Sequence, residues 1–565
     1  MNKSLDLVFL WHMHQPDYRD YASGDFLLPW TYLHAIKDYT DMAYHLEQHP
    51  KIHAVVNFVP ILLDQLEDYR DQFASGKLRD PLLRLLAHSD IDNLSGEERQ
   101  LAFDSCFRSN HTQMIDPYPP YKRLLQMFEL LQGENANALA YLSGQYLSDV
   151  LTWYHLAWCG ESVHRGEPLV KALMSKGEGF TNQDRQQLLV LIGQLVSGII
   201  PRYRKLAETG QIEISTTPHY HPLAPLLIDL KSAQEAMPDA PLPQVEKYPG
   251  GAERVAKHVR KAKKSHTLRF GETPAGIWPA EGSISDDTLG VIAAEGCRWI
   301  ASGQTVLVNS LKHAQQDPGA PMQYLYHPYL FDKGKGKLKC FFRDDHLSDL
   351  IGFEYSRWNG RDAAKHFVAQ INDIATHSSD HEAAIVSVIL DGENAWEHYP
   401  YNGYYFLDDL YSELENHLHI HTTTYQDHLN HLTDVPKVLP KLVSGSWVYG
   451  NFATWIGSKD KNRAWDLLCI AKQSYDTVMA SGNLSKAEQA AAEEQLCSCE
   501  SSDWFWWFGD YNSANAVASF DRLFRHNLRE LYRLLKLPAP HNLSEPISQG
   551  SSAHQHNGAM RRASE

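Results

Sequence analysis

Two short segments carry carboxylates in surroundings suited to chemistry. In GIWPAEGSIS (276–285), Glu281 follows Trp278 and Pro279 and precedes Gly282. Pro and Gly mark a turn, so this acid is expected on a loop at a strand end with an indole beside it. A carboxylate against an aromatic wall suits a nucleophile facing a flat, cationic, oxocarbenium-like carbon, although a surface turn gives the same letters. In VILDGENAWEHYP (388–400), Asp391 ends a strongly apolar run and is followed by Glu393, Trp396, Glu397 and His398. An acid leaving a buried strand is partly desolvated, which raises its pKa as a general acid requires; Asp-Gly alone also reads as a plain turn.

Histidines and further aromatics surround this pair in the sequence. WHMHQP (11–16) sets His12 and His14 two residues apart on one face of a strand, with Gln15 next to them. GQIEISTTPHYHPLAPLL (210–227) repeats the theme with Glu213 on a strand and His219 and His221 in a Pro-interrupted loop. FRDDHLSDLIGF (342–353) adds Arg343, Asp344, Asp345 and Asp349, a charge cluster that reads as scaffold. Trp447, Trp455, Trp504, Trp506, Trp507 and Asp510 fall in loop-like segments without helical or alternating spacing, as a sugar-stacking wall would, or as a seal between domains. Three chemistries use such a set. A glycosidase employs all of it. A metal-dependent barrel hydrolase explains the histidines but leaves Glu281 and the tryptophans without a role. A non-catalytic glycan-binding protein leaves both carboxylates without one.

The elements that must position these residues are short apolar runs separated by helical stretches. LDLVFLW (5–11), IHAVVNFV (52–59), QIEIS (211–215), RWIAS (298–302) and AIVSVIL (384–390) read as buried parallel strands, each followed by polar or aromatic residues. Chemistry at the carboxyl ends of parallel strands is the arrangement of an α/β barrel. A doubly wound sheet gives similar runs but normally adds a Gly-rich phosphate loop after the first strand, where this chain has WHMHQPDY. The pattern predicts a barrel over 1–400 with a helical insertion around 62–205, an α-helical C-terminal domain over 401–543 that lends aromatics to the groove, and a disordered tail over 544–565.

Composition narrows the partners. The 565 residues include 14 Trp, 28 Tyr and 30 His, and the formal net charge is −17. That charge repels phosphate backbones and anionic membranes, so neither nucleic acid nor membrane is expected as a partner, whereas a neutral polysaccharide is compatible. The first residues, MNKSLDLVFLWHMH, read as a strand broken by His12 and His14 rather than as an export signal. Seven scattered cysteines suit a reducing compartment, and a cytoplasmic location is expected.

Taken in order, the segments resemble glycoside hydrolase family 57 from residue 5 to about 540. His14-Gln15-Pro16, Gly210-Gln211-Ile212-Glu213-Ile214, Trp278-Pro279-Ala280-Glu281, Leu390-Asp391-Gly392-Glu393-Asn394 and the Trp447–Trp455 stretch correspond to the family's five sequence regions. The resemblance implies an incomplete (β/α)7 barrel followed by a helical region. It also implies a retaining mechanism without metal or cofactor, with Glu281 as nucleophile and Asp391 as acid/base. His12, His14, Gln15, Glu213, His221, Trp278, Glu393, Trp396, Trp455, Trp506 and Asp510 are expected to bind substrate. The wording of the regions is most similar to the α-amylase and amylopullulanase branch, which implies hydrolysis of α-1,4 and α-1,6 linkages in glycogen, starch or maltodextrin. Glucan transfer or branching on the same scaffold is the alternative.

Overall fold

A computed structural model describes residues 4–134, 139, 141–333, 336–377, 384–433 and 435–551. Ten strands form one sheet: β1 (Leu5–Met13), β2 (Ala54–Phe58), β3 (Ile212–Thr216), β4 (Gly276–Ile277), β5 (Trp299–Ser302), β6 (Tyr329–Lys333), β7 (Gly336–Phe342), β8 (Ile385–Asp391), β9 (Ile420–Thr422) and β10 (Lys437–Val438). Seven of them run parallel in the order β8-β1-β2-β3-β4-β5-β7. Arg343, just past β7, bridges in parallel to Ser387 of β8, and the Asp344 amide donates to the Ser387 carbonyl at 2.8 Å. This contact joins the two ends of the row, and the fold is a seven-stranded (β/α) barrel. β6 pairs antiparallel with β7, β10 extends β6, and β9 flanks the start of β1.

Alternation along β1 shows how the sequence builds the two layers. Leu5, Leu7, Phe9, Trp11 and Met13 point outward into the large core shared with the helices. Val8 and Leu10 point inward, where they meet Val55, Trp278, Trp299, Ala301, Phe341, Ile385, Ile389 and Tyr425. Each of these large side chains contributes on the order of 1.5–3 kcal/mol by leaving water. Tyr425 comes from a helix after β9 (Tyr425–His431) and closes the amino-terminal end of the barrel against Phe341 and Trp299, with ring centroids 4.3 and 4.5 Å away.

Between β2 and β3 the described residues form helices, ending in the 27-residue Asn182–Glu208 helix, which starts at a Thr181–Asp184 capping box. The strands past residue 401 belong to the barrel sheet, so the purely helical part begins at Lys459–Ser481 and continues with Lys486–Cys499, Asp503–Trp507 and Ala514–Leu534. Residues 547–551, within the expected tail, pack on the helical part. Asp521 accepts from the Ile547 and Ser548 amides at 2.7 and 3.2 Å, and Ser551 bridges to Ser513; residues 552–565 lie outside the described residues.

The helical part is fastened to the loop after β3 and to the helix Gly251–Phe270. Ser501 bridges to Pro222, and the Ser502 amide donates to the His221 carbonyl at 3.0 Å. Glu500, fully buried, takes Arg254 at 2.6 Å and His258 at 2.8 Å. Burial lowers the His258 pKa, so Arg254 is the cation here and His258 a hydrogen-bond partner; a buried carboxylate keeps its charge only while such partners are present, and this junction is fixed in register.

Candidate active site

The loops at the carboxyl ends of the strands form one mouth. Glu281 lies in a turn just after β4 with φ 59° and ψ 24°, and Gly282 follows at φ 57°. A left-handed non-glycine residue costs about 1–2 kcal/mol, and such strain collects where geometry serves function. Glycine is required at 282, because a Cβ there would meet the Trp278 ring at 2.7 Å. Trp447, on the loop leading to the C-terminal helices, holds Glu281 twice: its amide donates to the Glu281 carbonyl at 3.0 Å, and its indole Nε1 donates to Oε2 at 3.1 Å. The Trp447 ring stands edge-on to Trp278 at 5.2 Å.

Asp391 is the last residue of β8 and pairs in register with His12. Asn394 Nδ2 donates to its Oδ2 at 2.8 Å. Burial pushes the Asp391 carboxyl up to about 6, against the Asn394 hydrogen bond and the charges of His14 and Arg343. Glu393 is pushed well above the usual carboxylate range, first by burial and then by Asp391 and Asp38. Its Oε1 accepts from the His14 amide at 3.3 Å and from Gln15 Nε2 at 3.2 Å, while Oε2 is buried without a partner.

Two bridges link the acids. His14 and His221 stack with centroids 3.9 Å apart. His14 acts on Asp391 through its charge, and His221 Nδ1 lies 4.0 Å from Glu281 Oε1. Arg343, held by Asp345 and Asp349 at 2.8 and 3.0 Å, also acts on Asp391 and sits 5.6 Å from the Trp447 ring centroid, behind Glu281. Arg343 of the expected scaffold cluster thus acts on Asp391 and lies against the tryptophan that holds Glu281.

The histidines have assignable protons. Burial raises the Asp503 pKa, but the charge and hydrogen bond of His14, followed by those of His221, outweigh it and hold Asp503 well below the usual range. An ionised carboxylate only accepts, so His14 Nε2, 2.8 Å from Asp503 Oδ1, carries a hydrogen. Burial and the His14 charge lower His221 to about 4, leaving it neutral at pH 7. Its Nδ1 lies 2.9 Å from Ser502 Oγ and 3.6 Å from Asp503. With the proton on Nδ1, Nε2 remains as an acceptor, and both it and His14 Nδ1 are buried without partners. His12 is lowered by burial and by His221 and His14, and its Nδ1 is 2.7 Å from Asn57 Oδ1.

His14, His221 and Asp503 also have the donor set and spacing to hold a metal ion, as do His258, Cys497 and Glu500. In the second group Arg254 already binds Glu500 and donates to Cys497 Sγ at 3.1 Å, so a cation is in place. In the first, the donors are engaged with one another and with Ser502.

Four of the expected binding residues lie elsewhere than expected. Glu213 is near the start of β3, at the closed end of the barrel, where Trp299 Nε1 and the Gln426 amide donate to it at 2.7 and 2.9 Å. Trp396 packs outside the barrel at 5.8 Å from Trp11 and donates Nε1 to the Gly392 carbonyl at 2.9 Å, supporting the Asp391 loop from behind. Trp455 is 0 % exposed, packed at 5.7 Å from Trp506, itself 9 % exposed. These rings seal the helical part, the competing reading of the aromatic segments. Trp278 forms the floor of the mouth, 6.2 Å from His12, and Gln15 acts one layer back through Glu393; Asp510 is exposed on the loop after Asp503–Trp507.

Asp503 was not singled out by sequence, because its role depends on His14 and His221, 503 − 14 = 489 and 503 − 221 = 282 positions away. The signal available was an acid directly before an aromatic run.

The family model of glycosyl hydrolase family 57 matches residues 8–441 of this chain. The chain belongs to that family. Among curated proteins, none matches it by sequence. Among solved structures it is similar to a family 57 branching enzyme from Pyrococcus horikoshii, with TM-score 0.56 and 14 % identity over 98 % of each chain. It is also similar to the α-amylase AmyC from Thermotoga maritima, with TM-score 0.53 and 14 % identity over 94 % of this chain and 97 % of the other. The third is a 4-α-glucanotransferase from Thermococcus litoralis, with TM-score 0.50 and 13 % identity over 94 % of this chain and 60 % of that one. At these identities the likeness is one of fold. The chain is a family 57 glycoside hydrolase, and no helix of the described residues is long and apolar enough to cross a membrane.

Proposed function

We propose that this family 57 enzyme is a retaining glycosidase of α-glucans in which Glu281 is the nucleophile and Asp391 the acid/base. The observation that carries the reading is the unlike setting of the two acids. Glu281 is oriented by two bonds from Trp447, and Asp391 is a half-buried acid raised by desolvation to about 6. In the first step a Glu281 oxygen bonds to the anomeric carbon as the glycosidic C–O bond breaks and the Asp391 proton passes to the leaving oxygen. In the second, the Asp391 carboxylate takes a proton from the attacking water, whose oxygen displaces Glu281 from the same carbon. His221 Nε2 and His14 Nδ1, buried and unpaired, are matched to sugar hydroxyls.

A second reading, transfer to a sugar hydroxyl instead of water, is favoured by similarity to solved structures described as a branching enzyme and a 4-α-glucanotransferase. Chromatography of products from maltooligosaccharides, pullulan and glycogen over time separates the two. Shorter chains alone mark hydrolysis, and longer or newly branched chains mark transfer. No product from any of them contradicts the α-glucan assignment. All seven cysteines are buried and free, which supports a cytoplasmic enzyme acting on internal glycogen or imported maltodextrin; recovery of the native protein in oxidised, secreted form would contradict this location.

A further inference from the structure

The loops leaving β7 and β8 meet in a second cavity, of about 500 Å³, that contains none of the residues of the mouth. Trp358, Tyr401 and Tyr405 line it together with Asn359, Arg361 and Asp409. Trp358 is 44 % exposed, the most open of the fourteen tryptophans, and Tyr401 and Tyr405 are 59 % and 48 % exposed. Apolar surface gathered this way marks a binding surface.

The backbone is held in a costly shape to present it. Tyr401 (φ 54°, ψ 38°), Asn402 (φ 54°, ψ 33°) and Gly403 (φ 73°) are three successive left-handed residues. Two of them have side chains, and such conformations persist only where the surroundings impose them. Asn402 is tied to Lys37 at 2.5 Å and to Asp41 at 2.8 Å, and Gly403 lies where a Cβ would meet the Trp396 ring at 2.7 Å. These ties lift Tyr401 outward, with its ring perpendicular to Tyr405 at 5.5 Å. Arg165 covers Tyr405 at 5.0 Å and bonds its hydroxyl at 2.9 Å, which fixes that ring. Trp358 is steadied by Tyr355 at 5.4 Å and His366 at 5.1 Å.

We propose that this groove is a second glucan-binding site, separate from the catalytic mouth, that holds one stretch of a long chain while another stretch is processed. Fixed aromatic faces suit the C–H faces of glucose rings, and Asn359, Arg361 and Asp409 supply donors and acceptors for ring-edge hydroxyls. Arg361 and Asp409 approach within 3.6 Å, so their charges offset one another and favour a neutral ligand. The cavity's volume, about 500 Å³, is that of a pocket for a small ligand. The groove lies ten residues beyond the catalytic acid, 401 − 391 = 10, on the loop that Trp396 braces. The proposal rests on the α-glucan reading of the enzyme.

The test compares the Trp358→Ala/Tyr401→Ala enzyme with its parent in two assays, with Trp358→Phe/Tyr401→Phe as the variant that keeps aromatic faces. Affinity electrophoresis in glycogen gels is run in a Glu281→Gln background so that the polymer is not consumed, and turnover of maltopentaose is measured with Glu281 intact. The expected result is at least about fivefold weaker glycogen binding in the alanine variant, substantial binding in the phenylalanine variant and maltopentaose turnover within about twofold of the parent. Equal retardation of parent and alanine variant overturns the proposal, as does a parent that turns over maltopentaose but is not retarded by glycogen. Groove-dependent retardation in a parent that fails to turn over maltopentaose sustains the groove and sinks the catalytic reading instead.

Discussion

The two ends of the barrel each hold a half-buried acid with a raised pKa, and only one end is built to react. At the closed end, burial pushes Glu213 up to about 7 against the bonds from Gln426 and Trp299. Both of its oxygens have donors, Trp299 and the Gln426 amide, and the Tyr425 ring packs on Trp299 at 4.5 Å. At the open end Asp391 is raised to about 6 by the same cause, yet around it Glu393 Oε2, His14 Nδ1 and His221 Nε2 are buried without partners. A raised pKa therefore does not distinguish a catalytic acid from a structural one here. The distinction is in what surrounds each acid: Glu213 has a donor on each oxygen, whereas Asp391 stands at the mouth beside His14 and Arg343, among buried polar atoms that a ligand can complete.

The largest effects should follow loss of either carboxylate at the open end. Glu281→Ala and Asp391→Ala should each lower kcat/KM by about a thousandfold or more. Azide should restore turnover to the first by giving a glycosyl azide of inverted configuration, whereas any glycosyl azide from the second, formed through Glu281, should retain configuration; aryl glycosides, whose leaving group needs no proton, should be spared in the second. Near-normal turnover by Glu281→Ala would remove the contrast between the ends.

Asp391 must be protonated to act as the acid, so kcat/KM should fall about tenfold per pH unit above roughly pH 6. Aryl glycosides with good leaving groups should show a much flatter alkaline limb. A steep limb with both substrate types would assign it to another group. A smaller loss, about tenfold in kcat, is expected for Trp447→Phe, which removes one hydrogen bond to Glu281 Oε2 and keeps the ring beside Trp278; unchanged kcat would show that this bond positions nothing.

The smallest effect on rate belongs to Glu213→Gln, expected within about twofold of the parent because the closed end does not touch substrate. Its effect on stability is larger. The folded-state pKa of about 7 exceeds the ordinary 4.5, so the folded chain binds this proton more tightly than the unfolded chain does. Stability from this group is complete below about pH 4.5 and is lost as pH rises through about 7. Denaturant unfolding of the parent should therefore weaken across that window, and Glu213→Gln should flatten the slope. An unchanged slope with large loss of activity would place Glu213 in the reaction after all.

Much of this contrast was legible in the sequence, but not all of it. β1, β2, β3, β5 and β8 are apolar runs bounded by chemistry-bearing residues, and the polar residue after each fixed the reactive end of the barrel. β4 escaped because it is two residues long, and β7 because the Lys337 and Lys339 of GKLKCFF interrupt its apolar pattern. Glu213 was misplaced for a related reason: a strand has two ends, and an acid within one does not reveal which end it serves. The same limit applied to Trp396 and Trp455, since spacing shows that a ring is irregularly placed but not which of its faces is covered. Asp503 and the second role of Arg343 depend on contacts between distant segments.

The contrast stands or falls on what the open end does to the anomeric carbon. Proton NMR of the earliest products from a maltooligosaccharide, recorded before mutarotation, reads this directly. Double displacement through Glu281 predicts that the first reducing ends are α, the configuration of the bond that was cut. First products in the β configuration would mean that water attacks in a single step, and Glu281 could not then be the nucleophile.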